Sequence, residues 1–273
     1  MLTGRFKNRR FTLLTAAGLI LIFCSGCIMA DRYDTPRRRR HGLVLVLPGI
    51  EGHSLLNENI ARGLGEGGVS SAIEIYDWTT GIPGNLLVNL AYLERNREEA
   101  RKLARRIVRY QQRQPGRPVI LVGHSGGGGI AVLALECLPK DSKVDLAILL
   151  APALSPDYDL TSALRHSSQG IMNLYSNKDV GLLKVGTTIF GPIDREFGAS
   201  AGAVGFREPP EANEATRTLY KRYLRQVCWR EHMKHYGADG SHFGWASRRF
   251  ARKYLAPLIL EREAARSVTA AGR

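Results

Sequence analysis

Short apolar runs alternate with amphipathic stretches through most of the chain. Several of the runs contain no polar residue, as in LVLVLP from Leu43 to Pro48. Unbroken runs of this length are typical of strands that are buried on both faces of a parallel sheet. The predicted strands cover residues 42–49, 69–78, 119–122, 144–150, 170–176 and 226–233.

Amphipathic helices are predicted between these strands. The clearest spans 94–112, where five apolar residues recur at helical spacing and the other positions are mostly Arg, Lys and Glu. These apolar residues are Ala100, Leu103, Ala104, Ile107 and Val108. Further helices are predicted at 57–64, 130–138 and 247–263. This alternation predicts an α/β fold, with a mostly parallel sheet of about six strands and helices on both faces.

The stretch 180–225 interrupts the alternation. It is rich in glycine at first and becomes charged after Pro209-Pro210. Two interpretations stay open: a cap or lid inserted before the last strand, or ordinary packing against the sheet. A cap in this place would shape the substrate pocket.

The N-terminus has the three-part layout of an export signal. Residues 1–10 carry four positive charges and no acid, residues 11–23 are almost wholly apolar, and small residues follow. The ending Ser25-Gly26-Cys27 resembles a bacterial lipoprotein signal, which implies lipid attachment at Cys27. In that family Leu is usual at the third position before the cysteine, where this chain has Cys24.

Two alternatives remain for this segment: an uncleaved anchor from Phe11 to Ala30, and an ordinary cleaved signal. All three place the body outside the cytoplasm or on a membrane. The chain therefore divides into a signal or anchor (1–27), a basic tether (28–41), one domain (42–263) and a loose tail (264–273). The arginines Arg37–Arg40 of the tether are suited to contact anionic headgroups.

Composition limits the function classes. The 273 residues suffice for one large domain, and 44% hydrophobic with 23% charged residues is ordinary for a globular protein. The net charge of +14 favours anionic partners, but no zinc-finger spacing, RNA-binding aromatic motif or convincing helix-turn-helix supports nucleic-acid binding. Metal-ligand patterns and a dinucleotide fingerprint are also missing, so we expect no cofactor. Cys137 and Cys228 are either free buried thiols or, in an exported protein, one disulfide.

The strongest chemical signal is the sequence Gly-His-Ser-Gly-Gly at 123–127. A strand-like run precedes it and a helix of small residues follows. A Gly-x-Ser-x-Gly turn between strand and helix exposes the serine on a tight, strained turn, and the next backbone N–H points toward a developing oxyanion. Ser125 is therefore the candidate nucleophile. His124 beside it is given no chemical role.

From these residues the chain resembles the α/β-hydrolase family over about 42–260. The family places an acid after a later strand and a histidine after the last one. The resemblance implies that Asp179, in the turn Ser-Asn-Lys-Asp, orients His242, and that His242 takes the proton from Ser125. Alternatives are Asp157 or Asp159 as the acid and His232 or His235 as the base.

The family also implies two backbone donors for the oxyanion. One is the N–H of Gly126. The other lies in the loop after the first strand, at Ile50 or its neighbour Glu51. Because only about 15 residues separate Cys27 from that strand, the two leading strands of the full family fold should be missing.

The resemblance thus predicts an exported or membrane-tethered serine hydrolase. Its substrate would be a small-molecule or lipid ester or a thioester, cleaved through an acyl-enzyme. Three other functions stay open: an acyltransferase with the same triad, a non-catalytic binding protein on the same fold, and a peptidase, since fold does not fix the substrate.

Overall fold

A parallel β-sheet forms the centre of the computed structural model, which describes residues 32–81, 93–179 and 200–271, and side chains as far as residue 264. The sheet has six strands in the order β2-β1-β3-β4-β5-β6, and every neighbouring pair is parallel. The strands are β1 Leu43–Leu47, β2 Ala72–Ile75, β3 Val119–His124, β4 Leu146–Leu150, β5 Ile171–Tyr175 and β6 Leu224–Cys228.

Helices connect and cover these strands. The α-helices are α1 Pro36–Arg39, α2 Leu55–Glu66, α3 Leu93–Arg113, α4 Gly126–Glu136, α5 Thr161–Arg165, α6 Ala201–Val204, α7 Glu214–Tyr223, α8 Arg248–Phe250 and α9 Ala256–Ala271. Short 3₁₀ segments lie at Glu231–Tyr236 and Gly244–Ala246. The predicted α/β fold of six strands is therefore confirmed.

Alternate residues of each buried strand face opposite layers of the core. Leu43, Leu45 and Leu47 of β1 pack in the layer that contains α3 and α4. Val44 and Val46 pack in the layer of α2 and the C-terminal helices. Because β1 is apolar on both sides, its unbroken run in the sequence follows directly from this position.

The boundaries of α4 and β6 bear on the site, and β6 ends earlier than the predicted residue 233. Helix α4 begins at Gly126, directly after Ser125, although four glycines precede Ile130 and disfavour a helix on propensity alone. Tertiary packing against the sheet overrides local propensity there. Strand β6 ends at Cys228, so His232 and His235 lie in a 3₁₀ segment beyond it.

The last predicted helix is divided and longer than expected. A π-helical turn, Ala251–Leu255, joins α8 to α9. Pro257 lies in the first turn of α9, where it has no N–H to donate to the preceding turn, and this accounts for the widened segment. Helix α9 continues to Ala271, so residues 264–271 are helical rather than a loose tail.

The segment predicted as a basic tether packs on the sheet from its first described residues. The carbonyl of Tyr33 accepts a hydrogen bond from the N–H of Ile73 at 3.0 Å. Arg38 donates to the carbonyl of Ser71 at 3.2 Å, and Arg39 pairs with Glu74 at 2.9 Å. Two of the four consecutive arginines therefore hold the edge strand β2, while Arg37 and Arg40 are exposed.

Part of the predicted cap lies outside the described residues, namely 180–199. From residue 200 the chain packs on the rest of the domain. The N–H of Gly202 donates to the carbonyl of Pro152 at 3.0 Å. The carbonyl of Gly202 accepts from the N–H of Ser176 at 3.0 Å. Helix α7 then covers α5 and leads into β6. Residues 200–223 thus form the described part of the crossover between β5 and β6.

Both cysteines of the body are free. Cys137 is exposed at the end of α4 and Cys228 is half-buried on β6. The expectation of buried thiols is therefore wrong for Cys137, because the helix ends at the surface there. Within the described ranges, no helix combines the length and apolar character needed to cross a membrane.

Candidate active site

Ser125 lies on a sharp turn between β3 and α4. Its backbone has φ 53° and ψ −120°, and it is one of two non-glycine residues with positive φ in the described chain. Its N–H donates to the carbonyl of Leu150 at 2.9 Å, and its carbonyl accepts from the N–H groups of Gly128 and Ala153. A positive φ costs of order 1–3 kcal/mol, so these bonds from the neighbouring strand end are needed to hold the turn.

Close approach of backbone explains the glycines around Ser125. A Cβ atom on Gly127 would lie 2.2 Å from the carbonyl oxygen of Leu47, at the end of β1. A Cβ on Gly123 would lie 2.5 Å from the carbonyl oxygen of Gly127. Both neighbours are backbone atoms that cannot move aside. The start of α4 can therefore pack this close to the ends of β1 and β3 only with glycine at these two positions.

Ile50, the predicted first oxyanion donor, lies beside Gly126. The backbone nitrogen of Ile50 is 3.5 Å from the place that a Cβ on Gly126 would occupy. The Ile50 side chain and the ring of Trp78 approach the same place at 3.0 and 3.2 Å. The structure therefore brings the loop after β1 against the start of α4, as an oxyanion hole requires.

The loop that carries Ile50 is fixed at several points. The indole N–H of Trp78 donates to the carbonyl of Pro48 at 2.7 Å, and the side chain of Asn57 donates to the carbonyl of Gly52 at 3.0 Å. The N–H of His53 donates to Asp77 at 3.1 Å. A backbone donor held in this way needs little rearrangement when charge develops nearby.

Glu51 contributes a carboxyl group to the same loop. Its Oε2 would lie 2.2 Å from a Cβ on Gly49, so the side chain folds back over the loop. Burial raises the pKa of Glu51, while backbone hydrogen bonds at Glu51 and Gly49 and the proximity of His242 oppose the rise. A partly desolvated carboxyl group therefore lies close to the candidate base.

Asp179 and His242 are in contact. The Oδ2 atom of Asp179 lies 2.7 Å from Nδ1 of His242, and their side chains are only 5% and 12% exposed. Asp179 follows β5, and its N–H donates to the carbonyl of Ser176 at 2.9 Å. A buried carboxylate that accepts from Nδ1 leaves Nε2 of the imidazole free to accept a proton.

A second hydrogen bond joins the two turns that carry this pair. The hydroxyl of Ser176, which is fully buried, donates to the carbonyl of Gly240 at 2.7 Å. Because Ser176 begins the turn of Asp179 and Gly240 precedes His242 by two residues, the bond fixes the spacing of the pair. No signal in the sequence distinguishes Ser176 from other serines at strand ends.

The alternative residues have other partners or positions. Asp157 forms an exposed ion pair with Arg207 at 2.8 Å. Asp159 accepts from the N–H of Thr161 at 2.8 Å and from the hydroxyl of Tyr220 at 3.1 Å. His232 and His235 are exposed. The structure thus brings only Asp179 and His242 together among the weighed acids and bases.

His124 links the serine turn to the histidine loop, a contact that sequence reasoning missed. Its Nε2 lies 3.0 Å from the carbonyl oxygen of His242, and the two imidazole rings are 5.0 Å apart. A carbonyl only accepts, so Nε2 of His124 carries the hydrogen. Burial, together with the proximity of His242, lowers the pKa of His124 to about 3, although the hydrogen bond to that carbonyl opposes the shift.

His242 is thereby held against His124, the residue that precedes Ser125. No hydrogen bond joins the Ser125 hydroxyl to His242 within the described residues. Catalytic hydrogen bonds are often long without substrate and shorten only when it binds. Phe243 adds an apolar surface here: it is 54% exposed, and its ring lies 5.5 Å from that of His242.

The sequence matches a known family. A family model described as serine aminopeptidase, S33, covers residues 38–190, which is more than half of the chain. The chain therefore belongs to this family of α/β hydrolases. The matched range includes Ile50, Ser125 and Asp179, whereas His242 lies beyond it. No curated protein matches the sequence.

Several solved structures are similar at low identity. Est1E from Butyrivibrio proteoclasticus is 13% identical, with 82% of this chain and 88% of that chain aligned at a TM-score of 0.47. A dienelactone hydrolase from Anabaena variabilis is 17% identical over 81% and 84% of the two chains, also at 0.47. Esterase B from Lactobacillus rhamnosis is 14% identical over 87% and 81%, at 0.47. These proteins are distant in sequence, and their substrates say nothing about that of this chain.

The buried, neutral His124 predicts a pH dependence of stability. Its pKa is lowered from 6.5 to about 3 by folding, so between these values the unfolded chain binds a proton that the folded chain does not. Stability should therefore fall as the pH is lowered through this range, by up to about 1.4 kcal/mol per pH unit from this residue.

Urea denaturation of His124→Gln between pH 7 and pH 4 tests this expectation. The variant should lose stability less steeply on acidification than the wild type. His235→Gln is the matched control, since that side chain is in water in both states and should leave the slope unchanged. Parallel curves for His124→Gln and the wild type would contradict the prediction.

Proposed function

We propose that this hydrolase cleaves an ester or thioester bond through an acyl-enzyme on Ser125. The observation that supports the proposal is a hydrogen-bonded Asp179–His242 pair whose histidine contacts His124, the residue before the strained Ser125. A serine hydroxyl is a poor nucleophile unless a base removes its proton, and an oriented imidazole in this position supplies that base.

The first half of the reaction follows from this arrangement. As Oγ of Ser125 attacks the substrate carbonyl carbon, Nε2 of His242 takes the hydroxyl proton. Asp179 holds the imidazole by its Nδ1–H and stabilises the imidazolium that forms. The carbonyl oxygen becomes an oxyanion and accepts hydrogen bonds from the N–H groups of Ile50 and Gly126.

Collapse of this intermediate breaks the bond to the leaving group. His242 returns its proton to the leaving alcohol or thiol, and the acyl group stays on Ser125. A water molecule then attacks the acyl-enzyme with His242 as base, which releases the acid and restores the serine. The apolar surface of Phe243 beside His242 supports a substrate with an apolar acyl or alcohol part.

Replacement of Ser125 tests the nucleophile. Folded wild-type protein should react covalently with a fluorophosphonate probe, and Ser125→Ala should not. Ser162→Ala, an exposed serine of α5, is the control and should label like the wild type. Wild-type protein that is folded but unlabelled would refute the proposal.

Replacement of Asp179 tests the acid. Asp179→Asn should lower kcat for p-nitrophenyl esters by roughly 10³–10⁴-fold, because the amide cannot hold the reactive imidazole tautomer. Asp157→Asn removes an exposed carboxylate and should stay within about twofold of the wild type. Equal losses in both variants would show that Asp179 does not have this role. A series of acyl chain lengths in the same assay separates esterase from lipase behaviour.

We also propose that the protein is exported and attached to a membrane through its N-terminus. The apolar residues 11–23 followed by Ser25-Gly26-Cys27 support this proposal. Mass spectrometry of the mature protein should find acylated Cys27 as the first residue. A protein that retains Met1 would refute lipid attachment at this cysteine.

A further inference from the structure

The second half of helix α3 is strongly basic. In its last 13 residues, 101–113, it has six Arg or Lys residues and no acid. The exposed ones include Arg101, Arg105 and Arg109, which recur every four residues and so lie along one side of the helix, about 6 Å apart.

These three arginines line a groove of about 390 Å³ between α3 and the end of α4. Ala104 and Val108 give the groove an apolar floor, and Cys137 lies on its α4 side. The groove therefore combines arginine guanidinium groups with apolar side-chain atoms. That combination suits the phosphate of an amphiphile better than a small inorganic anion alone.

The arginines of the groove are poorly compensated inside the protein. Arg101 lies 3.9 Å from Glu98, and both side chains are at least half exposed. Across the described ranges, Arg105 and Arg109 have no carboxylate within ion-pair distance. Other cations of the same helix do have one, since Lys102 pairs with Glu99 and Arg106 with Glu74.

Helix stability does not account for this pattern. Like charges four residues apart destabilise a helix by a few tenths of a kcal/mol per pair. The helix dipole compensates cations only in the last turn, which here contains Arg113. Arg101 and Arg105 lie too far from that end to benefit, so an external anion is the partner that their spacing fits.

The N-terminal segment packs on the β2 side of α3, whereas the groove lies on the α4 side. The hydroxyl of Tyr110 donates to the carbonyl of Arg39 at 2.7 Å. The exposed Arg37 and Arg40 flank that contact. Only about 15 residues separate Cys27 from β1, so an anchor in the first residues would keep helix α3 close to the membrane.

We propose that the arginine groove of α3, formed by Arg101, Arg105 and Arg109, binds the phosphate headgroups of anionic membrane lipids. Together with Arg37 and Arg40 it would hold one side of the domain against the bilayer. The proposal rests on the proposed membrane attachment of the N-terminus, and it does not depend on the role of Ser125.

The exposed Cys137 reports occupancy of the groove in the full chain. The protein is reconstituted into vesicles of phosphatidylcholine alone or of phosphatidylcholine and phosphatidylglycerol at about 7:3. Alkylation by a bulky, membrane-impermeant maleimide is followed by peptide mass spectrometry, with Cys228 as internal reference. The anchor is present in both vesicles, so a difference between them isolates the basic face.

We expect anionic vesicles to slow alkylation of Cys137 at least fivefold relative to neutral ones, and to leave Cys228 unchanged. Each arginine near an anionic surface contributes about a fivefold gain in binding. The triple variant Arg101→Gln/Arg105→Gln/Arg109→Gln should abolish the difference, as should about 0.5 M salt, which shortens the Debye length to about 4 Å. Comparison of the two vesicles within each variant cancels any change in thiol reactivity.

A matched triple removes the same charge from the other end of the sheet: Arg217→Gln/Lys221→Gln/Arg225→Gln, on α7 and β6. It should keep the wild-type difference. Equal rates of Cys137 alkylation in both vesicles for the wild type would overturn the proposal. So would an equal loss of the difference between vesicles in the two triple variants, because that would show an effect of net charge alone. Shielding of Cys137 by duplex DNA but not by anionic vesicles would assign the face to nucleic acid and would also overturn it.

Discussion

The close approach of α4 to β1 is the constraint on which the site depends. Gly127 passes so near the carbonyl of Leu47 that only a hydrogen atom fits between them. This contact lets the helix start one residue after Ser125 and brings Gly126 against the loop of Ile50. The strained turn at Ser125 persists because it is hydrogen-bonded to Leu150 at the end of β4, to Ala153 beyond it and to Gly128 of α4. Strain at the serine and tight packing of the glycines are therefore parts of one arrangement.

The strands of the sheet and the turn at Ser125 could be predicted from the sequence because each depends on a local pattern. Strands buried on both faces appear as unbroken apolar runs, and the elbow appears as glycines around Ser125. The strands and the elbow depend on residue type alone. The pairing of Asp179 with His242 was implied by the resemblance to the α/β hydrolases, and the structure shows the hydrogen bond between them.

Other parts of the site depend on contacts between distant segments, which no local pattern contains. The bonds from Ser176 to Gly240 and from His124 to the carbonyl of His242 each join residues more than sixty positions apart. The anchoring of the oxyanion loop by Trp78 is of the same kind. Helix α4 starts at Gly126, as the turn at Ser125 predicts, although propensity disfavours four glycines in a helix, because packing requires glycine there. Residues 28–41 were predicted to be a tether because their charges, taken alone, do not reveal that Arg38 and Arg39 bind the edge strand.

The hydrogen bond between Ser176 and Gly240 bears on which part of the protein unfolds first in mild denaturant. The acid and the base lie beyond β5 and β6, at one end of the sheet, whereas the serine lies near its middle. Structural units at a sheet edge open with less free energy than the centre. In mild denaturant the histidine loop can therefore separate from the serine turn while the central strands stay folded. Turnover would then vanish before circular dichroism changes, and enzymatic half-life would measure the persistence of one edge rather than that of the whole domain.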